Sequence, residues 1–318
     1  MAAVGNLLTP PLRGFLEIDP KTLDVERLGF PPGDPQARAR LADVVQSFAT
    51  GFNTSLGADP ASLDFQALPH DLRGFAFEGA AMGVALADLG TFSGGRRVRA
   101  LAEGPGARYI HLIHVGVGWA YARTHVHPWT GIRFGRPLLR WLVWDGWGFH
   151  QAFFKSRRVL VRHWVERPAR GNMRTIRDQG VGRALWFYAG GDPVEVAETI
   201  GAFPAARRSD VWAGIGLAAA YTGALTPERL GELLDRAAGF EEHIAQGAAF
   251  AAKAHVESQE VPERSTAAIE TLTGAAPAVA AAWTDEAAVT AERCGSGPEG
   301  YEVWRARVRQ AWRKHNEG

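Results

Sequence analysis

The feature that most constrains this fold is a recurring dipeptide, an acid or an amide directly followed by glycine, within apolar stretches of helical spacing. The four dipeptides begin at Glu78, Asp145, Gln179 and Gln246. Glu78 and Asp145 are 67 residues apart, and so are Gln179 and Gln246. Self-similarity at a fixed offset indicates a repeated structural unit. We therefore predict a diverged tandem duplication with an offset of about 101 residues, over roughly residues 72–170 and 173–271.

Other glycines follow nearly the same offset. The stretch "HVGVGWAYA" aligns with "VWAGIGLAAAY", which sets Gly116 and Gly118 against Gly214 and Gly216. Two similar helical units would pack with approximate two-fold symmetry and bring the four acid or amide side chains to equivalent positions. Ligands commonly bind between the helices of such bundles. Chance agreement in a chain with 37 glycines is the alternative.

Helical spacing dominates the chain and predicts a mainly α fold, a pseudo-two-fold helical bundle with a small N-terminal segment. We divide the chain into an N-terminal segment (1–69), helical repeat 1 (70–170), helical repeat 2 (171–271) and a C-terminal helical tail (272–318).

Helix boundaries are clearest in two places. Residues 33–51 predict a helix that Asp34 caps, Pro35 opens and Gly51 ends, and residues 226–239 run from Thr226 to a glycine stop. The strand signals are few and short, and they lie at residues 13–19 and 157–165.

Composition excludes several classes of protein. The 35 basic residues nearly balance the 34 acidic ones, whereas nucleic-acid binders normally carry a marked basic excess. A single cysteine, Cys294, cannot form an internal disulfide and suits a reducing cytoplasm. There is no signal peptide pattern and no apolar run long enough to span a membrane, so we expect a cytoplasmic location.

Two carboxylates lie in apolar helical stretches, and we predict them as the catalytic residues: Glu78 and Asp145. A buried carboxylate must pair with a charge, accept hydrogen bonds or take up a proton. The structural interpretation is an internal salt bridge to an arginine, for which Arg123, Arg140 and Arg183 are the candidates. The functional interpretation is an acid of raised pKa that faces a cavity and serves in general acid–base catalysis.

The 11 tryptophans require either a large core or a large aromatic-lined pocket. The side chains predicted to bind substrate are Trp119, Trp144, Trp147, Phe149, His150, Asp178, Gln179, Trp186 and Gln246.

Familiar catalytic motifs are absent from the sequence. It has no GxSxG elbow, phosphate-binding loop, dinucleotide-binding glycine motif or DDxxD sequence. His111 and His114 share a helical face and His125 and His127 are two residues apart, but no zinc-site spacing is complete. We predict no metal ligands and no cofactor, with magnesium left open.

The C-terminal stretch 301–315 is a basic amphipathic helix. Its apolar stripe favours docking on the chain's own domain, with contact with a membrane surface as the alternative.

Six of these stretches resemble the UnbL-like family of bacterial proteins. The matching stretches are "FEGAAMGVAL", "HVGVGWAYAR", "LLRWLVWDGWGFHQAFF", "DQGVGRALWF", "RRSDVWAGIGLAAAYTG" and "AQGAAFAA", within about residues 65–255. UnbL-like proteins are found in the accessory gene cassette beside enediyne polyketide synthases. The resemblance implies a part in secondary metabolism, with a linear apolar polyene as substrate and a polyketide synthase or other cassette proteins as partners. It assigns no catalytic residues.

Three functions follow as hypotheses. The first is an accessory biosynthetic enzyme that acts on a long apolar polyene, with Glu78 or Asp145 transferring protons. The second is a terpene cyclase of unusual type, in which aromatic faces stabilise carbocations and a buried acid starts or ends the reaction. The third is a carrier that shields an apolar intermediate without catalysis.

Overall fold

The computed structural model describes residues 17–19, 27–126, 135–166 and 171–317. The fold is mainly α, as predicted, and these residues contain no β-strand. The α-helices are α1 (Pro35–Ser55), α2 (His70–Gly90), α3 (Arg96–Glu103), α4 (Ile110–Thr124), α5 (Leu142–Phe154), α6 (Asn172–Tyr188), α7 (Pro193–Ala202), α8 (Ala205–Thr222), α9 (Pro227–Arg236), α10 (Glu241–Ser258), α11 (Glu263–Thr273), α12 (Pro277–Arg293) and α13 (Pro298–Asn316).

The first helix begins as its sequence predicts but ends later. The Asp34 carboxylate accepts hydrogen bonds from the backbone N–H groups of Gln36 and Ala37, both at 3.0 Å, and Pro35 occupies the first turn. The prediction that Gly51 ends this helix is wrong. A Cβ at Gly51 would overlap the carbonyl oxygen of Ala76 on α2, so glycine is needed there for close helix packing.

The strand predicted at residues 157–165 is wrong. Residues Arg157–Val161 form a short π-helical segment instead. Its two buried side chains, Val159 and Leu160, are adjacent in sequence, whereas a half-buried strand would alternate buried and exposed positions. Most of the other predicted strand, 13–19, lies outside the described residues, and 17–19 are without regular structure.

Seven long helices pack side by side in chain order: α1, α2, α4, α5, α6, α8 and α10. The tail helices α12 and α13 pack against α10, and α13 also contacts α6. The docking predicted for the C-terminal helix is confirmed, since Tyr301, Trp304 and Val308 are buried. Among the described residues, no helix combines the length and apolar character needed to cross a membrane.

Paired glycines set the spacing of these helices. A Cβ at Gly118 on α4 would overlap the carbonyl oxygen of Val143 on α5, and one at Gly146 on α5 would overlap that of Val115 on α4. The pairing runs in opposite directions along the two helices, so α4 and α5 are antiparallel at this contact. Glycine lets two backbones approach this closely at a cost of about 1 kcal/mol per helical residue relative to alanine.

Equivalent contacts recur at the predicted offset. Gly216 on α8 faces Ile244 as Gly118 faces Val143, and Gly214 faces the Gln179 carbonyl as Gly116 faces that of Glu78. The predicted duplication requires this correspondence. The duplication itself, and the division of the chain into segments, stay predictions.

Candidate functional site

A single guanidinium group lies between the two carboxylates predicted as catalytic. Arg183 Nη1 donates to Asp145 Oδ1 at 2.6 Å, whereas Arg183 Nη2 is 3.7 Å from Glu78 Oε1. All three side chains are buried. Burial alone would lower the pKa of Arg183, but the charges of Asp145 and Glu78 outweigh it and the net shift is upward. Asp145 is therefore the close salt-bridge partner, and Glu78 the more distant one.

Helix periodicity places these groups together. Arg183 follows Gln179 by one turn of α6, so both side chains lie on the face that meets α5. Gln179 Nε2 donates to the second oxygen of Asp145 at 2.8 Å. Asp145 thus accepts one charged and one neutral hydrogen bond, which offsets the cost of its complete burial.

A buried polar network continues from this site to the C-terminal helix. Gln246 Nε2 lies 3.5 Å from Gln179 Oε1, and Gln246 Oε1 accepts from Arg305 Nε at 3.1 Å. Arg305 is fully buried and donates to Asp210 at 2.8 Å. The Tyr301 hydroxyl lies 3.4 Å from Gln179 Nε2. Both predicted amides therefore belong to one hydrogen-bonded network with Asp145.

Glu78 has a different electrostatic environment. Burial raises the pKa of its carboxyl group to about 7, Arg183 partly opposes this shift, and Asp145 adds to it. The indole Nε1 of Trp119 donates to Glu78 Oε1 at 3.1 Å. One guanidinium cannot neutralise two buried carboxylates, and Asp145 holds it more closely. Glu78 is consequently the group that exchanges a proton near neutral pH.

Two mostly apolar cavities adjoin at Arg183. The inner cavity, about 50 Å³, reaches Asp145 and Arg183 and is otherwise lined mainly by apolar side chains such as Leu142, Leu217 and Phe250. The aromatic cavity is smaller, about 30 Å³; Arg183 also lines it, and it reaches Glu78. Its aromatic lining residues are Phe48, Phe75, Trp119, Phe149, Phe153 and Phe187. The raised-pKa acid therefore faces an apolar, aromatic space.

A third cavity lies next to the inner one. This outer cavity, about 270 Å³, shares His111, Lys253 and Trp304 with the inner cavity. Its lining is far more polar and includes two cations, Arg136 and Lys253, and four carboxylates. These are Glu103, Glu257, Asp285 and Glu292. The described residues thus line three neighbouring cavities. The outer cavity is the most charged, and the aromatic cavity contains Glu78.

Seven of the nine predicted binding residues line none of these three cavities: Trp144, Trp147, His150, Asp178, Gln179, Trp186 and Gln246. Trp186 Nε1 donates to Thr222 Oγ1, Trp147 Nε1 donates to Glu166 Oε2, and Asp178 forms a double hydrogen bond with Arg207. Trp144 is buried beside Trp147, at a ring distance of 5.7 Å. Their predicted contact with substrate has no support in this geometry.

His150 is buried beside the aromatic cavity without lining it. Its ring is 5.6 Å from that of Trp119, and neither ring nitrogen has a hydrogen-bond partner. Burial lowers its pKa to about 3, with nearby Arg123 acting in the same direction, so the imidazole is neutral at physiological pH. In this position His150 is a neutral, mostly packing group.

No cluster of three or more potential metal-ligating side chains occurs in the described part of the chain. His114 Nδ1 lies 2.8 Å from the Ile110 carbonyl, and His125 pairs with Glu166. His127 lies outside the described residues.

Several residues of the site were not predicted as such. Arg183 was predicted only as a possible salt-bridge partner, although its spacing from Gln179 places both on one helical face. Tyr301 and Arg305 show the same four-residue spacing, but the tail lies outside the repeat pattern that drew attention to the other residues. No sequence signal distinguished His111 or Lys253 as cavity residues.

Comparison with known proteins identifies the family but no relative of known structure. No curated protein and no solved structure matches this chain. The family model described as "Protein of unknown function (DUF1702)" matches residues 12–312. Because that match spans nearly the whole chain, the protein belongs to the DUF1702 family.

Proposed function

We propose that this protein is an accessory biosynthetic enzyme that transfers protons to and from a long apolar polyene, with Glu78 as the general acid–base group. The observation that carries the proposal is the position of Glu78, a buried carboxyl group with a pKa of about 7 that faces an aromatic cavity. A general acid is most effective when its pKa lies near the working pH.

Glu78 is a better candidate than Asp145 for the proton donor. Asp145 is held by Arg183 at 2.6 Å and by Gln179 at 2.8 Å, so both of its oxygens are occupied. Glu78 accepts from Trp119 and is 3.7 Å from Arg183. In our proposal Asp145 and Gln179 position Arg183, and the distance of Arg183 from Glu78 sets how readily Glu78 gives up its proton.

The lining of the cavities supports an apolar, unsaturated substrate. Apart from Glu78 and Arg183, the aromatic cavity has only hydrophobic side chains, which offer contact area without competing hydrogen bonds. The resemblance to UnbL-like proteins of enediyne cassettes supports a polyene of secondary metabolism as the substrate class. Glu78 would protonate one carbon of the polyene, and its carboxylate would remove a proton from another, giving an isomer.

A terpene cyclase is less well supported by the geometry. Its carbocations would need free aromatic faces, but the Arg183 guanidinium already lies 5.1 Å from the centroid of the Phe149 ring.

The test is deuterium incorporation from D2O into a linear conjugated polyene hydrocarbon incubated with the purified protein, measured by mass spectrometry. Prenyl diphosphates are incubated in parallel, with and without magnesium. We expect polyene isomerisation with deuterium uptake, reduced at least 100-fold by Glu78→Gln, because general acid–base catalysis contributes about 10²–10⁴-fold.

The matched control is Glu260→Gln. Glu260 is also a partly buried glutamate, bonded to Arg73 and Tyr109, but it lines none of the three cavities. This variant should keep full activity. Cyclised products from a prenyl diphosphate alone would favour the cyclase instead. Retention of the polyene without deuterium uptake would favour the carrier and contradict the proposal.

A further inference from the structure

The passage between the outer and inner cavities carries polar groups that the proposed proton transfer at Glu78 does not use. His111, Lys253 and Trp304 line both cavities, and we call this shared boundary the passage. His111 Nδ1 is buried and has no hydrogen-bond partner. A buried polar atom without a partner is costly, and a ligand group can offset that cost.

The charges around His111 restrict which ligand group suits it. Lys253 Nζ is 3.0 Å from Glu257 and 2.9 Å from Asp285, so two carboxylates already neutralise this ammonium group. Arg136 is the other cation of the outer cavity, and it lies 3.6 Å from Asp285. With four carboxylates against two cations, the passage disfavours an anionic ligand group.

The inner cavity restricts the ligand further. Apart from His111, Lys253, Asp145 and Arg183, its lining is aliphatic and aromatic. A cationic ligand group at the passage would have to lose its hydration beside this apolar space, which is expensive. An uncharged oxygen can bond to a neutral imidazole without that cost.

We infer that His111 binds an uncharged hydroxyl or carbonyl oxygen at one end of an otherwise apolar substrate, whose chain occupies the inner cavity. This inference rests on the proposed function and specifies its substrate class as a polyene alcohol or aldehyde. His111 is a specificity-determining residue in this account. Lys253, held by its two carboxylates, shapes the passage beside it.

The test is binding, measured by tryptophan fluorescence, because Trp304 lies in the passage. The probes are 1-decanol, decanal, decanoate and decylamine. We expect decanol and decanal to bind more tightly than the two charged probes. His111→Phe should weaken decanol binding about tenfold, which corresponds to one lost hydrogen bond of about 1.4 kcal/mol.

Two further variants separate recognition from damage to the fold. His111→Asn, whose amide can reach the position of Nδ1, should restore part of the decanol affinity. His243→Phe is the matched control, since His243 Nδ1 is also buried without a partner but lines none of the three cavities. It should bind decanol as the native chain does.

Tighter binding of decanoate or decylamine would overturn the inference, and so would unchanged decanol affinity in His111→Phe. Glu78→Gln should bind decanol normally. Glu78→Gln could still bind decanol and decanal more tightly than the two charged probes, while the native chain transfers no proton to the polyene. In that case the proposed function fails and the binding inference stands.

Discussion

At the scale of single residues, the difference between Glu78 and Asp145 follows from how they share Arg183. The guanidinium is 2.6 Å from one carboxylate and 3.7 Å from the other. In an apolar interior this difference in distance matters, since charges there are weakly screened. Asp145 therefore maintains the structure of the site, and Glu78 is left as its titrating acid.

The first prediction concerns the Arg183–Asp145 pair. Arg183→Met should lower the free energy of unfolding by about 3–5 kcal/mol, because Asp145 would remain buried without its counter-charge. The double variant Arg183→Met, Asp145→Leu should recover most of this loss. Denaturant unfolding of the two single variants and the double variant measures the coupling. If the loss in the double variant equals the sum of the two single losses, the two side chains have no coupling free energy.

Sequence alone could predict that a buried carboxylate needs a partner, but not which one. Arg123, Arg140 and Arg183 all lie in apolar stretches, and only the fold brings Arg183 to Asp145 while Arg140 bonds to the Ser296 carbonyl. The sequence also treats Glu78 and Asp145 as equivalent positions. Their unequal distances to one arginine depend on the packing of three helices.

At the scale of helices, glycine is used for contact rather than for termination. Gly51 illustrates this, because its sequence context predicts a helix end and the structure shows an interhelical contact. The same use recurs between α4 and α5, α5 and α6, α6 and α8, and α8 and α10. The sequence does not show which neighbouring helix each glycine faces.

The second prediction compares two glycines. Gly180→Ala on α6 would overlap the carbonyl oxygen of Asp145 on α5, and should destabilise the fold by about 1–3 kcal/mol or more. Gly231→Ala on α9 faces open space and should stabilise it by about 0.5–1 kcal/mol. Thermal unfolding of both variants checks the signs. Equal effects would contradict the role given to the paired glycines.

At the scale of the whole molecule, the tail helix completes a site built from the predicted repeats. Arg305 and Tyr301 on α13 join the polar network through Gln246 and Gln179, and Trp304 lines the passage between two cavities. The tail carries no acid–glycine or amide–glycine pair, so repeat analysis could not include it. Its apolar stripe predicted docking but not the buried arginine.

The three cavities differ in the polarity of their linings. The outer cavity is lined by charged groups, and the aromatic cavity contains Glu78. A linear substrate that extended through these cavities would place its polar end at His111 and its unsaturated carbons near Glu78. Proton transfer to the substrate then requires that Glu78 carry a proton at working pH.

The measurement that tests this most directly is an infrared titration of the Glu78 carboxyl group, taken as the difference between the native chain and Glu78→Gln. Burial raises its pKa, so the carboxylic-acid carbonyl band should persist well above the ordinary value of 4.5 and disappear with a midpoint at about pH 7. A midpoint at or below 4.5 would contradict the account. Glu78 would then be fully ionised near neutral pH, with no proton to donate.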